Sequence, residues 1–247
     1  MKIIRKLIVR LFGVKGYIRL ASSIYIRLVG MGFLKKKYPE LFYLKKIIRD
    51  GFVCIDIGAN LGYYSVILSK FCGAQGKVLA VEPIPWFAEI WKKNVRRSRT
   101  NNLILLPYAL GNENTTVKMG IPEVDGVVHH GMTKIISSGN DKYMHYFDVE
   151  MKIPDELFDG IERLDFIKCD VEGFESVVFS NMKTIIGKFR PLIQSELNGK
   201  ENRRQVVGLL SEMGYVPKIL NNKTVLTEIN KSDIDSIEKD IYFVPGN

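Results

Sequence analysis

The sequence predicts an α/β protein with a doubly wound, mostly parallel sheet, an antiparallel strand near the C-terminus and an N-terminal helical arm. A short apolar run over residues 52–57 passes through a glycine-containing turn into helical spacing over residues 63–72. A second strand-like run follows over residues 77–82, and strand-like and helical segments continue to alternate after it. Strand, glycine turn, helix and strand in this order form the start of a nucleotide-binding βαβ unit.

Length and composition indicate one domain with additions. At 247 residues and 46% hydrophobic content, the chain can bury a full core. We assign residues 1–50 to the arm and 51–247 to the domain, with an insertion at 112–152. The three cysteines lack paired spacing, which argues against a disulfide framework or a zinc site and favours a reducing, cytoplasmic compartment.

The N-terminal arm carries all the excess positive charge. Residues 1–50 hold thirteen Lys and Arg against two acids, a net +11, so the remaining chain, with a total of +9, has −2. Apolar residues recur on one helical face before and after Gly13 and Gly16, and a basic run follows at 35–37. Such an arm fits either the inner face of an anionic membrane or a helical cap packed on the domain. Nucleic acid is a less favoured partner.

The elements of the domain follow in order. A helix over 38–50 precedes the first strand. We then expect helices at 63–72, 86–98, 173–189 and 201–213, and strands at 77–82, 102–108, 164–170, 191–196, 215–220, 223–228 and 241–244. The insertion breaks this alternation, with short strands expected at 115–119, 131–136 and 146–153. An insertion over the carboxyl ends of a sheet is where an acceptor pocket belongs.

The first turn indicates the cofactor. It contains Asp56, Gly58, Asn60 and Gly62, so an acid stands where a dinucleotide fingerprint has none. A carboxylate there repels a pyrophosphate and attracts an ammonium, which favours S-adenosylmethionine (SAM) over NAD. The glycines and the helix start, which includes Tyr64 and Ser65, offer backbone donors to the ligand.

An acid at the end of the second strand supports the same cofactor. Glu82 lies 26 residues after Asp56, which leaves room for one crossover helix and a strand. A carboxylate at this position accepts hydrogen bonds from the hydroxyls of a ribose.

Four sequence blocks together resemble a known family, the FkbM-type SAM-dependent methyltransferases. The resemblance covers roughly residues 50–200. The blocks are 55–62 (IDIGANLG), 81–83 (VEP), 109–111 (ALG) and 166–175 (FIKCDVEGFE). The resemblance implies the Rossmann-like fold of class I methyltransferases, a position for Ala109 near the adenine, and methylation of hydroxyls on sugars or other metabolites.

Methyl transfer to a hydroxyl needs alignment of donor and acceptor, and a group that activates the acceptor. Asp170 and Glu172, at the mouth of the fourth parallel strand, are the main catalytic candidates. Asp170 is expected to act as the base or to bind the SAM amino group. Alternatively, the two acids share a divalent ion, or Glu172 only caps the next helix. Glu196 is a secondary candidate for acceptor contact.

The insertion holds all three histidines of the chain. His129 and His130 are further candidates for contact with the acceptor, and His145 is a weaker one. In each case a structural or surface role is the alternative.

Two other functions stay open. The basic arm suggests an RNA methyltransferase, although acids at the pocket mouth disfavour phosphates and the 170–173 segment lacks the motif of exocyclic-amine enzymes. A methyltransferase-fold module that only binds a partner is the non-enzymatic alternative. The sequence therefore favours a SAM-dependent O-methyltransferase acting on a sugar, glycolipid or similar polar metabolite.

Overall fold

A computed structural model describes residues 2–98, 101–124, 127–128, 134–135, 143–222 and 224–246. The helices are α1 (Lys2–Gly30), α2 (Pro39–Ile47), α3 (Tyr63–Cys72), α4 (Pro85–Ser98), α5 (Pro154–Leu157), α6 (Glu175–Ser180), α7 (Lys183–Phe189) and α8 (Lys200–Glu212). The strands are β1 (Val53–Ile57), β2 (Lys77–Val81), β3 (Leu103–Leu106), β4 (Ala109–Leu110), β5 (Thr115–Val124), β6 (Val127–Val128), β7 (Lys134–Ile135), β8 (Tyr143–Lys152), β9 (Phe166–Cys169), β10 (Leu192–Ser195), β11 (Tyr215–Asn221), β12 (Val225–Glu228) and β13 (Ile241–Pro245).

The main sheet has the strand order β12-β11-β13-β10-β9-β1-β2-β3. The block β10-β9-β1-β2-β3 is parallel throughout, and β13 runs antiparallel between β10 and β11. This arrangement confirms the predicted fold class. The order reverses next to β1, which places the ligand crevice beyond the carboxyl ends of β1 and β9.

Strand register brings the predicted polar residues to one edge of this sheet. Ile57, the last residue of β1, is paired with Val81 of β2 and with Cys169 of β9. The residues that follow these strands are Gly58, Glu82 and Asp170. They therefore lie side by side at the carboxyl edge of the parallel block.

The insertion forms a second, smaller sheet with the order β4-β8-β5-β6, and β7 pairs with β5. Its antiparallel β5–β8 hairpin is longer than the two segments predicted for it. Buried apolar residues of this sheet pack against the loop after β1 and against α4; they are Ala109, Met119, Ile121, Val149 and Met151. Most of the strand expected at 131–136 lies outside the described residues.

The helix expected over residues 173–189 is two helices, α6 and α7. The side chain of Asn181 donates to the Val177 carbonyl (2.8 Å) and ends α6. The Asp155 carboxylate then accepts from the backbone N–H groups of Thr184 and Ile185, at 3.0 and 2.9 Å, and so caps α7. The sequence did not indicate this cap because Asp155 is far from α7 along the chain.

The N-terminal arm packs on the domain. The predicted break in its helix lies at Gly13, whose backbone is non-helical (φ 68°, ψ 174°). Beyond it, Ile18, Ser22 and Val29 are buried. The buried Asn94 of α4 joins the arm to the first loop, because its amide donates to Ser22 Oγ (3.1 Å) and to the Leu61 carbonyl (2.8 Å). No helix in the described part of the chain is long and apolar enough to cross a bilayer.

Replacing Asn94 with alanine is expected to lower the free energy of unfolding by about 1–3 kcal/mol, because the buried Leu61 carbonyl loses a hydrogen-bond donor. Urea denaturation measures this change. Lys92→Ala, at an exposed position of the same helix, is the control and should stay within about 0.5 kcal/mol of the wild type. Equal stability of both variants would mean that Asn94 does not tie the arm to the domain.

Candidate active site

The turn after β1 is held by backbone contacts that only glycine allows. Gly58 has φ +77°. The N–H groups of Gly58 and Ala59 both donate to the Val81 carbonyl, at 3.1 and 2.9 Å. A Cβ added to Gly58 would lie 1.9 Å from the Asp170 carbonyl oxygen. The turns after β1 and β9 therefore touch through their backbones.

Glu82, which follows β2, borders the site next to the turn after β1. It is 4% exposed, and its two carboxylate oxygens accept from the N–H groups of Asn60 and Ile84, both at 2.8 Å. Burial raises the pKa of Glu82 to about 7, and these two hydrogen bonds oppose the rise. Asn60 itself is left-handed (φ 49°), a conformation that asparagine tolerates. Glu82 thus fixes the shape of the turn after β1 as well as lining the site.

The turn after β9 carries three acids with different roles. Burial raises the pKa of Asp170, and the nearby Lys168 ammonium partly offsets this. Glu172 is left-handed (φ 53°) and accepts from Asn198 Nδ2 at 3.0 Å. Glu175 is fully buried and accepts from the N–H groups of Val171 (2.9 Å) and Gly173 (3.1 Å). Glu175, rather than Glu172, therefore holds the start of the next helix.

These turns border two neighbouring cavities of about 230 and 70 Å³ that share part of their lining. The lining residues of the larger cavity include Gly58, Pro83, Ala109, Leu110 and Glu172. The smaller cavity shares some of these residues and adds Asn60, Glu82, Phe87 and Asp170. Among the described lining residues, the charged side chains are Glu82, Asp170 and Glu172, without a Lys or Arg. Such a site suits a ligand that carries positive charge and lacks phosphate.

Asp56 does not line either cavity. The structure therefore does not place its carboxylate in the direct contact with a ligand ammonium that the sequence predicted. Asp56 is 1% exposed, and its carboxylate accepts from Ser65 Oγ at 2.5 Å. Ser65 Oγ in turn accepts from Trp91 Nε1 at 2.8 Å. Burial raises the pKa of Asp56 to about 6. Asp56 and Ser65 therefore connect β1 to α3 and α4 and support the turn from the side of the helices. The residues that disfavour a phosphate are instead the carboxylates that line the cavities.

The other predicted residues are dispersed. Gly62 has φ +88° and begins α3, with Trp91 against it. Tyr64 is not among the lining residues of the two cofactor cavities, and its hydroxyl contacts Gln194 and Asp240. The ring of His145 packs against that of Trp86 in a tilted arrangement, with a centroid distance of 4.1 Å and an interplanar angle of 56°. His129 and His130 lie outside the described residues. No group of three or more His, Cys, Asp or Glu is arranged to hold a metal ion within the described ranges.

One charged group was not singled out from the sequence. Lys168 is 2% exposed, and its Nζ lies 3.8 Å from carboxylate oxygens of both Asp170 and Asp240. It also lies 5.0 Å from the centroid of the Tyr64 ring. A lysine inside a strand run has no local signal for this role, because its partners come from distant segments.

The family of the chain follows from a comparison with protein-family sequence models. Residues 56–237 match the methyltransferase FkbM domain. The chain belongs to the FkbM methyltransferase family. It is therefore a SAM-dependent methyltransferase, as the turn after β1 and the four sequence blocks predicted.

Individual relatives of this FkbM methyltransferase are more distant. A probable cobalt-precorrin-6B C(15)-methyltransferase of Sulfurisphaera tokodaii is 31% identical over 97 residues, 38% of this chain and 50% of that protein. A protein-L-isoaspartate O-methyltransferase of Archaeoglobus fulgidus is 34% identical over 73 residues, 30% of this chain and 28% of that protein. The chain thus spans half or less of the length of these relatives.

One solved methylase structure shares the fold, and a solved FkbM methyltransferase is similar to a lesser degree. A putative rRNA methylase of Clostridium thermocellum matches with a TM-score of 0.50 at 9% identity, covering 84% of this chain and 95% of that one. The FkbM methyltransferase of Methylobacillus flagellatus matches with a TM-score of 0.47 at 16% identity, covering 83% of this chain and 50% of that one.

The residues of the two neighbouring cavities fit SAM. When bound, SAM supplies a methyl group activated on a sulfonium. Glu82 would hold the ribose, the Tyr108–Leu110 segment would border the adenine, and the 58–62 turn with Asp170 would hold the amino-acid part. The close approach of Gly58 to Asp170 and the three carboxylates of the lining agree with a cofactor that lacks phosphate.

We expect the affinity for S-adenosylhomocysteine (SAH) to rise about tenfold between pH 6 and pH 8, because Glu82 must be ionised to accept two ribose hydroxyls. Its pKa of about 7 lies in the middle of this range. Isothermal titration calorimetry at each pH measures the change. Glu172, in the same cavity, also has a pKa raised to about 7, so Glu82→Gln serves to assign the effect. That variant should bind weakly without the rise, and a pH-independent affinity of the wild type would contradict the role of Glu82.

Proposed function

We propose that this FkbM methyltransferase transfers the methyl group of SAM to a hydroxyl of a sugar, glycolipid or similar polar metabolite. The observation that carries the proposal is the position of Asp170. Its carboxyl group lines the cofactor cavity, is mostly buried with 32% of its side chain exposed, and has a raised pKa. A carboxylate with these properties is a better proton acceptor than one in water.

Asp170 would act as the general base. Bound SAM would supply the methyl group and be released as SAH with the bonding pair on sulfur, and the Asp170 carboxylate would take the proton from the acceptor hydroxyl. Lys168 holds this carboxylate from behind, 3.8 Å from Oδ2. Burial lowers the pKa of the Lys168 ammonium, but the negative charges of Asp240 and Asp170 outweigh this effect and raise the pKa above its ordinary value. Lys168 therefore keeps its charge while Asp170 changes protonation state.

The choice of a sugar hydroxyl rests on the family resemblance and on the chemistry of the site. The lining carboxylates offer acceptors to hydroxyl donors, and they disfavour an RNA backbone. The scaffold alternative requires a decayed cofactor site, whereas Gly58, Asn60, Gly62 and Glu82 form an ordered one here. A divalent ion on Asp170 and Glu172 stays the alternative means of activating the hydroxyl.

The acceptor class can be tested with labelled cofactor. The protein is incubated with [methyl-³H]SAM and a whole-cell extract of a strain that lacks the gene. We expect the label in material that resists alkali, because sugar methyl ethers are stable where carboxyl methyl esters hydrolyse, and acid hydrolysis should release O-methyl sugars. Label in ribonuclease-sensitive or alkali-labile material would contradict the proposal.

Asp170→Asn is expected to reduce turnover by about 10²–10⁴-fold, because the amide preserves the shape and cannot take the proton. SAH affinity, measured by calorimetry, should stay within about tenfold of the wild type. Glu113→Gln, at an exposed position, is the control and should retain full turnover. Unchanged turnover of Asp170→Asn would exclude Asp170 as the base.

We further propose that the arm lies on an anionic membrane surface at the inner face of the membrane. The buried face of its helix contains Ile18, Ser22 and Val29, and the opposite face exposes Leu20 and Ile24. Exposed basic residues border that apolar stripe and continue into the 35–37 run. One face can therefore pack as a cap while the other meets lipid, so the two interpretations of the arm are compatible.

Leu20→Glu/Ile24→Glu is expected to reduce flotation with phosphatidylglycerol vesicles by at least about tenfold, because two apolar side chains of the exposed stripe become charged. Val225→Glu makes the same kind of change at an exposed position away from the arm (58% exposed) and should float like the wild type. Equal flotation of all three proteins, or none by the wild type, would contradict the membrane proposal.

A further inference from the structure

A third cavity, of about 350 Å³, lies between the arm and the carboxyl edge of the sheet. We call it the arm cavity. The arm contributes Tyr25, Tyr38, Glu40 and Leu41, and the domain contributes Tyr63, Tyr64, Glu196 and Asp240. The ring of Tyr25 lies 5.3 Å from that of Tyr38 and 4.5 Å from that of Tyr63. One wall is thus a continuous set of contacting aromatic rings.

The arm cavity is connected to the proposed base through Lys168. The Nζ atom of Lys168 lies 3.8 Å from Oδ2 of Asp170, a residue that lines the cofactor cavity, and 3.8 Å from Oδ2 of Asp240, a residue that lines the arm cavity. Strand register also places Glu196 next to Asp170, because Ser195 of β10 pairs with Cys169 of β9. Two lining residues of the arm cavity, Glu196 and Asp240, are therefore close to the residue that would deprotonate the acceptor.

The polar groups of the arm cavity select against negative charge. Three carboxylates line it, without a Lys or Arg among the described lining residues. The adjacent Lys168 is already engaged by two acids. Carboxylates accept hydrogen bonds from hydroxyl or amine donors and repel phosphate. Behind the wall, the fully buried Gln194 donates to Tyr64 and Asp240, while its amide oxygen has no partner among the described residues.

We propose that the arm cavity is the acceptor site and that it takes a sugar ring free of phosphate and carboxylate groups. This inference rests on the proposed O-methyl transfer. The aromatic wall provides flat surfaces for the apolar faces of the ring, and the three carboxylates accept from its hydroxyls or from an amine. The arm then completes the active site, since Tyr25, Tyr38 and Glu40 all come from it.

Saturation-transfer NMR on the full chain loaded with SAH tests this assignment. The probes are methyl α-glucoside and glucosamine, with glucose 6-phosphate and glucuronate as the anionic comparison. We expect signals from the first two, at least about fivefold weaker in Glu40→Gln/Glu196→Gln because two charged acceptors are lost. Glu113→Gln, exposed and outside the cavity, should behave as the wild type.

Absence of signal from both non-anionic sugars, unchanged signals in the double variant, or equal signals from glucose 6-phosphate would overturn the assignment. SAH titration of the same samples separates the two levels of the proposal. SAH binding without sugar binding would contradict the assignment of the arm cavity as the acceptor site and leave the proposed methyl transfer unaffected. Failure to bind SAH would also contradict the proposed function. Tyr38→Leu, which keeps all three carboxylates, tests the aromatic wall independently and should also weaken the sugar signals.

Discussion

The active site depends on one close backbone contact, between Gly58 and the carbonyl of Asp170. The space there is too small for any side chain, since a Cβ on Gly58 would lie 1.9 Å from the carbonyl oxygen. The contact joins the turns after two neighbouring parallel strands of the sheet, β1 and β9. Because the cofactor cavity is bounded by the first turn and the proposed base sits on the second, this contact sets the distance between methyl donor and base.

The charges around this contact are arranged in layers. Carboxylates of Glu82, Asp170 and Glu172 face the cofactor cavities, and Lys168 lies buried behind Asp170. Burying carboxylates raises their pKa values and costs stability at neutral pH. A cofactor that carries an ammonium and a sulfonium offsets this cost when it binds, whereas a diphosphate would add to it. The cavity is therefore matched to SAM through its lining acids.

The arm has two distinct faces, and each supports a different part of the proposal. The face that packs on the domain supplies Tyr25 to the arm cavity, and the segment that follows supplies Tyr38 and Glu40. The opposite face exposes Leu20 and Ile24 beside basic residues. An acceptor anchored in a membrane would thus reach a site that is bordered by the same helix that we propose to contact the lipid.

Much of the fold and part of the site could be predicted from the sequence. Gly58 and Glu82 follow short apolar strands, so local pattern alone placed them at the carboxyl edge of the sheet. The direction of Asp56 could not be read in this way, because the packing of α3 and α4 through Ser65 and Trp91 decides which way its carboxylate points.

The arm cavity could not be predicted from the sequence for a related reason. Its residues come from positions 25 to 240 and meet only in the folded chain. Lys168 shows the same effect, since it lies in an apolar strand run and its partner Asp240 precedes the last strand. Contacts between segments that are distant in the sequence determine both the arm cavity and the surroundings of Lys168, and no local sequence pattern reports such contacts.

The most direct test of the account is SAH binding by Gly58→Ala, measured by calorimetry and compared with Gly187→Ala. A Cβ at Gly187 would meet no atom within 4 Å, so this control should bind as the wild type does. Gly58→Ala should weaken SAH binding by at least about 100-fold, because the two turns must separate to admit the methyl group. Circular dichroism should show that the fold persists. Wild-type affinity in a folded Gly58→Ala protein would contradict the claim that this contact builds the active site.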